Sequence, residues 1–112
     1  MSETVQSWLD RAAKVPGVQA CGVRRADRSF GARSASGKIS ETQATQVVRD
    51  VAEAFYAMQQ QRIPAEQLKW SFQGGVVLAV NRQAGAIGVV VVGEETADSA
   101  EVAKLLSEFP AG

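Results

Sequence analysis

The stretch Leu68-Lys69-Trp70-Ser71-Phe72-Gln73-Gly74-Gly75-Val76-Val77-Leu78-Ala79-Val80, followed after a short turn by Ile87-Gly88-Val89-Val90-Val91-Val92, decides the architecture. Leu68, Trp70 and Phe72 alternate with Lys69, Ser71 and Gln73, the period of two that marks a strand with one buried face. Gly74-Gly75 is a two-residue hairpin signal, and Asn81 to Gly85 is the next turn. The runs 76–80 and 87–92 are apolar on both faces and therefore need cover on both. Short turns make the three strands a meander. Its first member, over 68–73, is the more polar one and belongs at an edge.

Upstream, Val18-Gln19-Ala20-Cys21-Gly22-Val23 is again small and apolar on both faces, and Ser29 to Arg33 forms its weaker partner across the turn Ala26-Asp27-Arg28. Ser34 to Lys38 is loop. With 18–23, 76–80 and 87–92 central and 29–33 and 68–73 outside, one strand order satisfies the short turns: 2-1-5-4-3.

Helical periodicity accounts for the rest. Val5, Trp8, Leu9, Ala12 and Ala13 mark a first helix from about Ser2 to Lys14, stopped by Pro16-Gly17. Ser40 and Gln43 form a capping box with Ile39 and Ala44 as its hydrophobic staple. From there a second helix runs to Gln61, on the order of 30 Å at 1.5 Å per residue. It ends before Pro64. Its apolar face carries Ala44, Val47, Val48, Val51, Phe55 and Met58, and is wider than the roughly 100° a surface helix needs. The third helix begins near Thr96 or Asp98, shows Val102, Leu105, Leu106 and Phe109 at i, i+3, i+4, i+7, and is closed by Pro110. The predicted fold class is α/β. It is a three-layer α/β/α sandwich of order α-β-β-α-β-β-β-α around a five-stranded, mainly antiparallel sheet, with the second helix on one face and the first and third on the other.

The chain has 112 residues, 46% of them hydrophobic and 21% charged, the composition of one folded soluble domain over residues 1–112. Twelve Lys+Arg balance twelve Asp+Glu, so no global field favours nucleic acid or an anionic membrane. His is absent and Cys21 is the lone cysteine. That excludes His-based triads, Cys/His zinc sites and internal disulfides. Neither a catalytic, a cofactor nor a metal site is expected. The opening Met1-Ser2-Glu3-Thr4 has no secretory character, and the longest apolar run, Ala86–Val92, is too short for a membrane span. Together with a single cysteine this points to the cytoplasm.

The edge strand carries Trp70 and Phe72 with Lys69 as its one charge guard, and such an edge pairs readily with another chain. A homodimer follows, made edge to edge with the two copies of the second helix side by side. Its expected contacts are Lys69, Trp70, Ser71 and Phe72 from the strand and Val48, Ala52, Phe55 and Gln59 from the helix. The polar face of that helix, with Gln46, Arg49, Asp50 and Glu53, would form a charged platform for a partner. An Arg49–Glu53 pair at i, i+4 explains some of the same residues as plain helix support.

Element order, Pro16-Gly17-Val18 opening the first strand, the long helix from Ser40, and the runs Gly75–Val80 and Gly88–Val92 resemble the Roadblock family. This is the dynein light-chain type that includes bacterial partners of Ras-like GTPases. Family members usually carry an acidic-Gly turn between the first two strands, where this chain has Ala26-Asp27-Arg28-Ser29. The resemblance implies a non-enzymatic homodimer that regulates or scaffolds a small GTPase or a motor. The competing reading is a small-ligand sensor that binds a metabolite between helix and sheet.

Four further features admit a plainer reading beside a functional one. Arg11, Lys14, Arg24, Arg25, Arg28, Arg33 and Lys38 stand against Asp27, and the acidic C-terminal stretch from Glu94 mirrors them. This is either a basic hairpin for an acidic partner or two solvated poles that attract each other. Glu94, Glu95 and Asp98 read as favourable charge at a helix N-terminus rather than as paired catalytic carboxylates. Cys21, with no His to activate it, reads as a small core residue. Gly74-Gly75 lacks the Lys-Ser/Thr of a phosphate loop.

Overall fold

The alternation and periodicity above produce eight elements: α1 (Val5–Ala13), β1 (Val18–Arg24), β2 (Phe30–Ser34), α2 (Glu41–Gln60), β3 (Gln67–Phe72), β4 (Gly75–Asn81), β5 (Ile87–Gly93) and α3 (Ser99–Ser107). The computed structural model describes residues 4–63, 65–72, 74–82, 85–93 and 99–110. The five strands form one sheet in the order β2-β1-β5-β4-β3, and every neighbouring pair is antiparallel.

β5 is buried at every position, because successive residues face opposite layers and both layers are filled. Val90 and Val92, with Cys21 and Val23 of β1, pack under Trp8 and Leu9 of α1 and Val102 and Leu105 of α3. Val89 and Val91, with Ala20, Val77 and Ala79, pack under Ala44, Val48, Val51 and Phe55 of α2. The three-layer sandwich therefore has α2 alone on one face and α1 with α3 on the other.

Local chemistry sets the helix ends. Thr4 caps α1, its Oγ1 accepting from Ser7 N–H at 3.0 Å. The helix thus starts at Val5, later than periodicity alone places it; residues 1–3 lie outside the described ones. At α2 the capping box is complete: Gln43 N–H donates to Ser40 Oγ at 3.1 Å, and Ser40 N–H to Gln43 Oε1 at 2.9 Å. α1 and α3 are locked together by Trp8, whose Nε1–H donates to Leu105 O at 2.8 Å and whose ring meets Phe109 edge-on at 4.8 Å. Arg82, which the pattern reading leaves in a turn, closes α3. Its guanidinium donates to the carbonyls of Leu106 at 2.9 Å and Ser107 at 3.0 Å, the placement a helix C-terminus favours.

The β3–β4 boundary differs from expectation. Gly75 already pairs with Phe72, so Gly75 belongs to β4 and is not half of a Gly74-Gly75 turn. The register is set by burial, which brings Leu68 opposite Ala79 and Trp70 opposite Val77 on the α2 side. The first described residue of α3 is Ser99, and the expected start at Thr96 or Asp98 lies outside the described residues. The β1–β2 turn keeps the shape of a glycine turn without a glycine. Arg28 N–H donates to Arg25 O at 2.9 Å, Arg25 N–H donates to Ser29 O at 2.8 Å, and Arg28 takes a φ of 72°. Asp27 steadies it by accepting from Ser29 N–H at 2.9 Å and Ser29 Oγ–H at 2.6 Å. Those two bonds hold its carboxyl below the usual carboxylate range.

A left-handed backbone costs a side-chain-bearing residue roughly 1–2 kcal/mol, part of which glycine gives back through its unfolded-state freedom. Arg28→Gly is therefore expected to raise stability by about 0.5–1 kcal/mol in urea unfolding. A loss of stability would mean that the Arg28 side chain, and not its backbone, stabilises the hairpin.

Candidate interaction surface

The surface is built from the free edge of β3. Asn81 N–H donates to Glu66 O at 2.8 Å, one step beyond the pair Gln67–Val80. Because antiparallel ladders alternate, Leu68, Trp70 and Phe72 turn their backbone groups to β4. Gln67, Lys69 and Ser71 turn theirs outward, away from the sheet. Side chains divide the other way: Leu68, Trp70 and Phe72 point to the α2 face, and Lys69 and Ser71 to the α1–α3 face.

Leu68 is buried on the α2 face, while Trp70 and Phe72 remain 38% and 40% exposed. The reason is that α2 rests on β2, β1 and β5 and stands clear of the outer half of β3. Between them lies an apolar groove of about 450 Å³, lined by Ile39, Val47, Asp50, Trp70, Phe72 and Val77 among others. On the opposite face, a second groove of about 560 Å³ runs between α3 and β3–β4, floored by Val76 and Leu78 with Lys69 at its rim.

The helix residues expected in a dimer contact are placed differently from the strand residues. Val48 and Phe55 face inward, 0% and 4% exposed, and pack on the chain's own sheet. They support the helix from beneath and offer no outer surface. At 100° per residue, Ala52 and Gln59 fall on the flank toward β2, from which the Arg49 guanidinium reaches the Phe30 ring at 5.1 Å. The flank toward β3 belongs to Gln43, Val47 and Asp50. The expectation treated the wide apolar face as one stripe, whereas the inward stripe 44–48–51–55 is used up by the core.

Gln46, Arg49, Asp50 and Glu53 are all exposed on α2. The i, i+4 pairing there joins Gln46 Nε2 to Asp50 Oδ1 at 3.0 Å, and Arg49 goes to Phe30 rather than to Glu53. Tyr56, 63% exposed, stands beside them. Its signal in the sequence was an aromatic residue three positions after Glu53 and seven after Arg49, on the polar stripe.

Other candidates resolve into structure. Arg11 and Glu108 form an ion pair at 2.9 Å and Arg33 and Asp10 another at 3.0 Å, so parts of the basic stretch and the acidic end do meet. Glu94, Glu95 and Asp98 lie outside the described residues. Among the described residues no group of three or more cysteine or carboxylate side chains is placed to hold a metal, and no helix is long and apolar enough to cross a membrane.

No protein-family model matches the chain, and none of the curated proteins does. Among solved structures it is similar to the crystal structure of a Roadblock/LC7 domain from Streptomyces avermitilis. The two share 13% identity over 96% of this chain and 92% of that one, with a TM-score of 0.69. The fold is Roadblock-like.

Cys21 is 1% exposed, and its Sγ lies 3.5 Å from Leu9 O. Burial pushes its thiol from the ordinary 9.0 up to about 12. The folded chain holds this proton more tightly than the unfolded one, so the contribution is intact below pH 9 and is lost as pH rises toward 12. At pH 8 the native thiol is expected to resist a disulfide reagent such as DTNB and to react within seconds once urea unfolds the chain. Rapid reaction of the folded protein would place Cys21 outside the core.

Proposed function

We propose that residues 1–112 form a single cytoplasmic, non-enzymatic, homodimeric interaction module that regulates or scaffolds a Ras-like GTPase or a motor complex. The observation that carries this reading is the β3 edge. Its backbone groups at Gln67, Lys69 and Ser71 have no strand partner among the described residues, and Trp70 and Phe72 stand half-exposed beside it. The Roadblock-like fold supports the reading in general terms.

Pairing two β3 strands about a two-fold axis leaves few registers. An axis at Lys69 sets two ammonium groups opposite each other, which is destabilising. An axis at Trp70 opposes each Lys69 with the other copy's Ser71. It also brings the two indoles together as a close, non-hydrogen-bonded pair, roughly 4.5 Å between Cα atoms. The second register is the one we favour. Val47, Asp50 and Phe72 would then border the seam, and both copies of Gln46, Arg49, Asp50 and Glu53 would form the outer platform. A partner bound there shifts a GTPase between nucleotide states only through unequal affinity for them.

Light scattering at micromolar concentration is expected to return twice the 11.9 kDa chain mass, and Trp70→Glu to return the single-chain mass with its helical signal intact. In a Cys21→Ser background, Trp70→Cys is expected to crosslink across the axis under mild oxidation, and Lys69→Cys much less. A wild-type monomer overturns the dimer.

The GTPase reading has its own test. Pull-downs from native extract with a GTP analogue or GDP should recover a small GTPase unequally, and the Arg49→Glu/Glu53→Arg variant should lose it. Recovery of none, or equal recovery from both, turns attention to the second reading. That reading, a metabolite sensor, draws on the groove between α3 and β3–β4, and predicts thermal stabilisation by a member of a metabolite library.

A further inference from the structure

The sheet has a second edge, and its character is opposite to that of β3. Arg25 N–H bonds Ser29 O, and Ala35 N–H bonds Gln19 O at 2.9 Å. These two bonds bracket the β1–β2 ladder in one continuous register. Residues 29, 31, 33 and 35 therefore turn their backbone groups to β1, and Phe30, Ala32 and Ser34 turn theirs outward. On the α2 side this edge carries half-buried Phe30 and Ala32, small and apolar apart from the one ring. On the α1 side it carries cations. Arg33 faces that side next to Asp10, and the Arg25 guanidinium lies over Gly31, about 3.3 Å from where a Cβ would stand. Exposed Arg28 sits at the hairpin end and exposed Lys38 beyond the other end. Asp27, the carboxylate within residues 24–38, is occupied by Ser29, and the Arg33–Asp10 pair is solvent-exposed enough to be weak.

We propose that the outer edge of β2 receives an extended acidic peptide from a partner protein as a sixth strand. Its alternate carboxylates face Arg25 and Arg33, and its intervening β-branched side chains lie against Phe30 and Ala32. Main-chain hydrogen bonds supply the binding, and the period-two charge supplies the selection. This does not depend on a β3 dimer, which would use the far edge of the sheet.

The probe is an acetylated, amidated (Glu-Val)4 peptide titrated into the isotope-labelled chain at low salt. Amide shifts are expected at Phe30, Ala32 and Ser34. Affinity should fall at least roughly tenfold with 0.5 M salt or in the Arg28→Glu/Lys38→Glu variant, whose two positions are exposed and whose melting temperature checks the fold. Arg25→Gln should weaken binding as well, and Trp70→Glu should leave it unchanged. (Lys-Val)4 should not bind. Equal binding of (Glu-Pro)4, which has the charge but cannot complete a ladder, would overturn strand addition. So would shifts centred on Gln67, Lys69 and Ser71, or an absence of peptide binding alongside charge-dependent binding to phosphatidylserine vesicles.

Discussion

Burial of β5 on both faces is the constraint from which the rest of this structure follows. A strand whose seven residues are all out of water needs a neighbour on each side and a helical layer above and below. β1 and β4 are the neighbours, and α2 and the α1–α3 pair are the layers. The strand is fitted to its cover at close range. A Cβ at Gly88 would stand 2.8 Å from the Phe109 ring, so glycine there lets the last aromatic residue of the α3 segment sit down on the sheet. Phe109 in turn braces Trp8, and Trp8 ties α1 to α3. Gly22 plays the matching part under α2, where a Cβ would meet Val48 at 2.5 Å.

A sheet with a satisfied centre still has two ends, and both proposed interactions use them. Five strands are wider than the single helix on the α2 face can cover, so the shortfall appears at β3. There, large apolar side chains meet backbone groups that have no strand partner among the described residues. At β2 the cover is better, the side chains are smaller, and the exposed groups are mainly guanidinium and ammonium. That asymmetry is why a second copy is proposed for the β3 edge and an acidic peptide for the β2 edge. No buried polar or charged residue occurs among those described, and the two core clusters are apolar throughout.

Much of the fold could be read in the chain because the signals were local or periodic. The capping box at Ser40 and Gln43 acts over three residues, and the alternation at 68–72 needs only its own strand. The sheet order followed from short turns and from which strands are apolar twice over. The site was less legible. Trp70 and Phe72 stood out as apolar residues on an otherwise polar strand. Val48 and Phe55 misled, since an apolar helix residue looks the same whether it meets its own sheet or another molecule. Arg82 carried no signal, because its partners at Leu106 and Ser107 are about 25 positions away and are backbone carbonyls, which any sequence supplies.

The sequence by itself determined the elements, their caps, their order in the sheet and the layer each helix joins, since these depend on hydrophobic period and on the reach of short connections. Tertiary structure alone decided how far α2 extends across the sheet and which of its flanks faces β3. It also decided which backbone groups of the two edges point outward and how Trp8, Phe109 and Arg82 join α3 to the rest. Those outcomes depend on the packing of side chains distant in the chain, where close approach at positions without a Cβ, as at Gly22 and Gly88, sets where an element comes to rest.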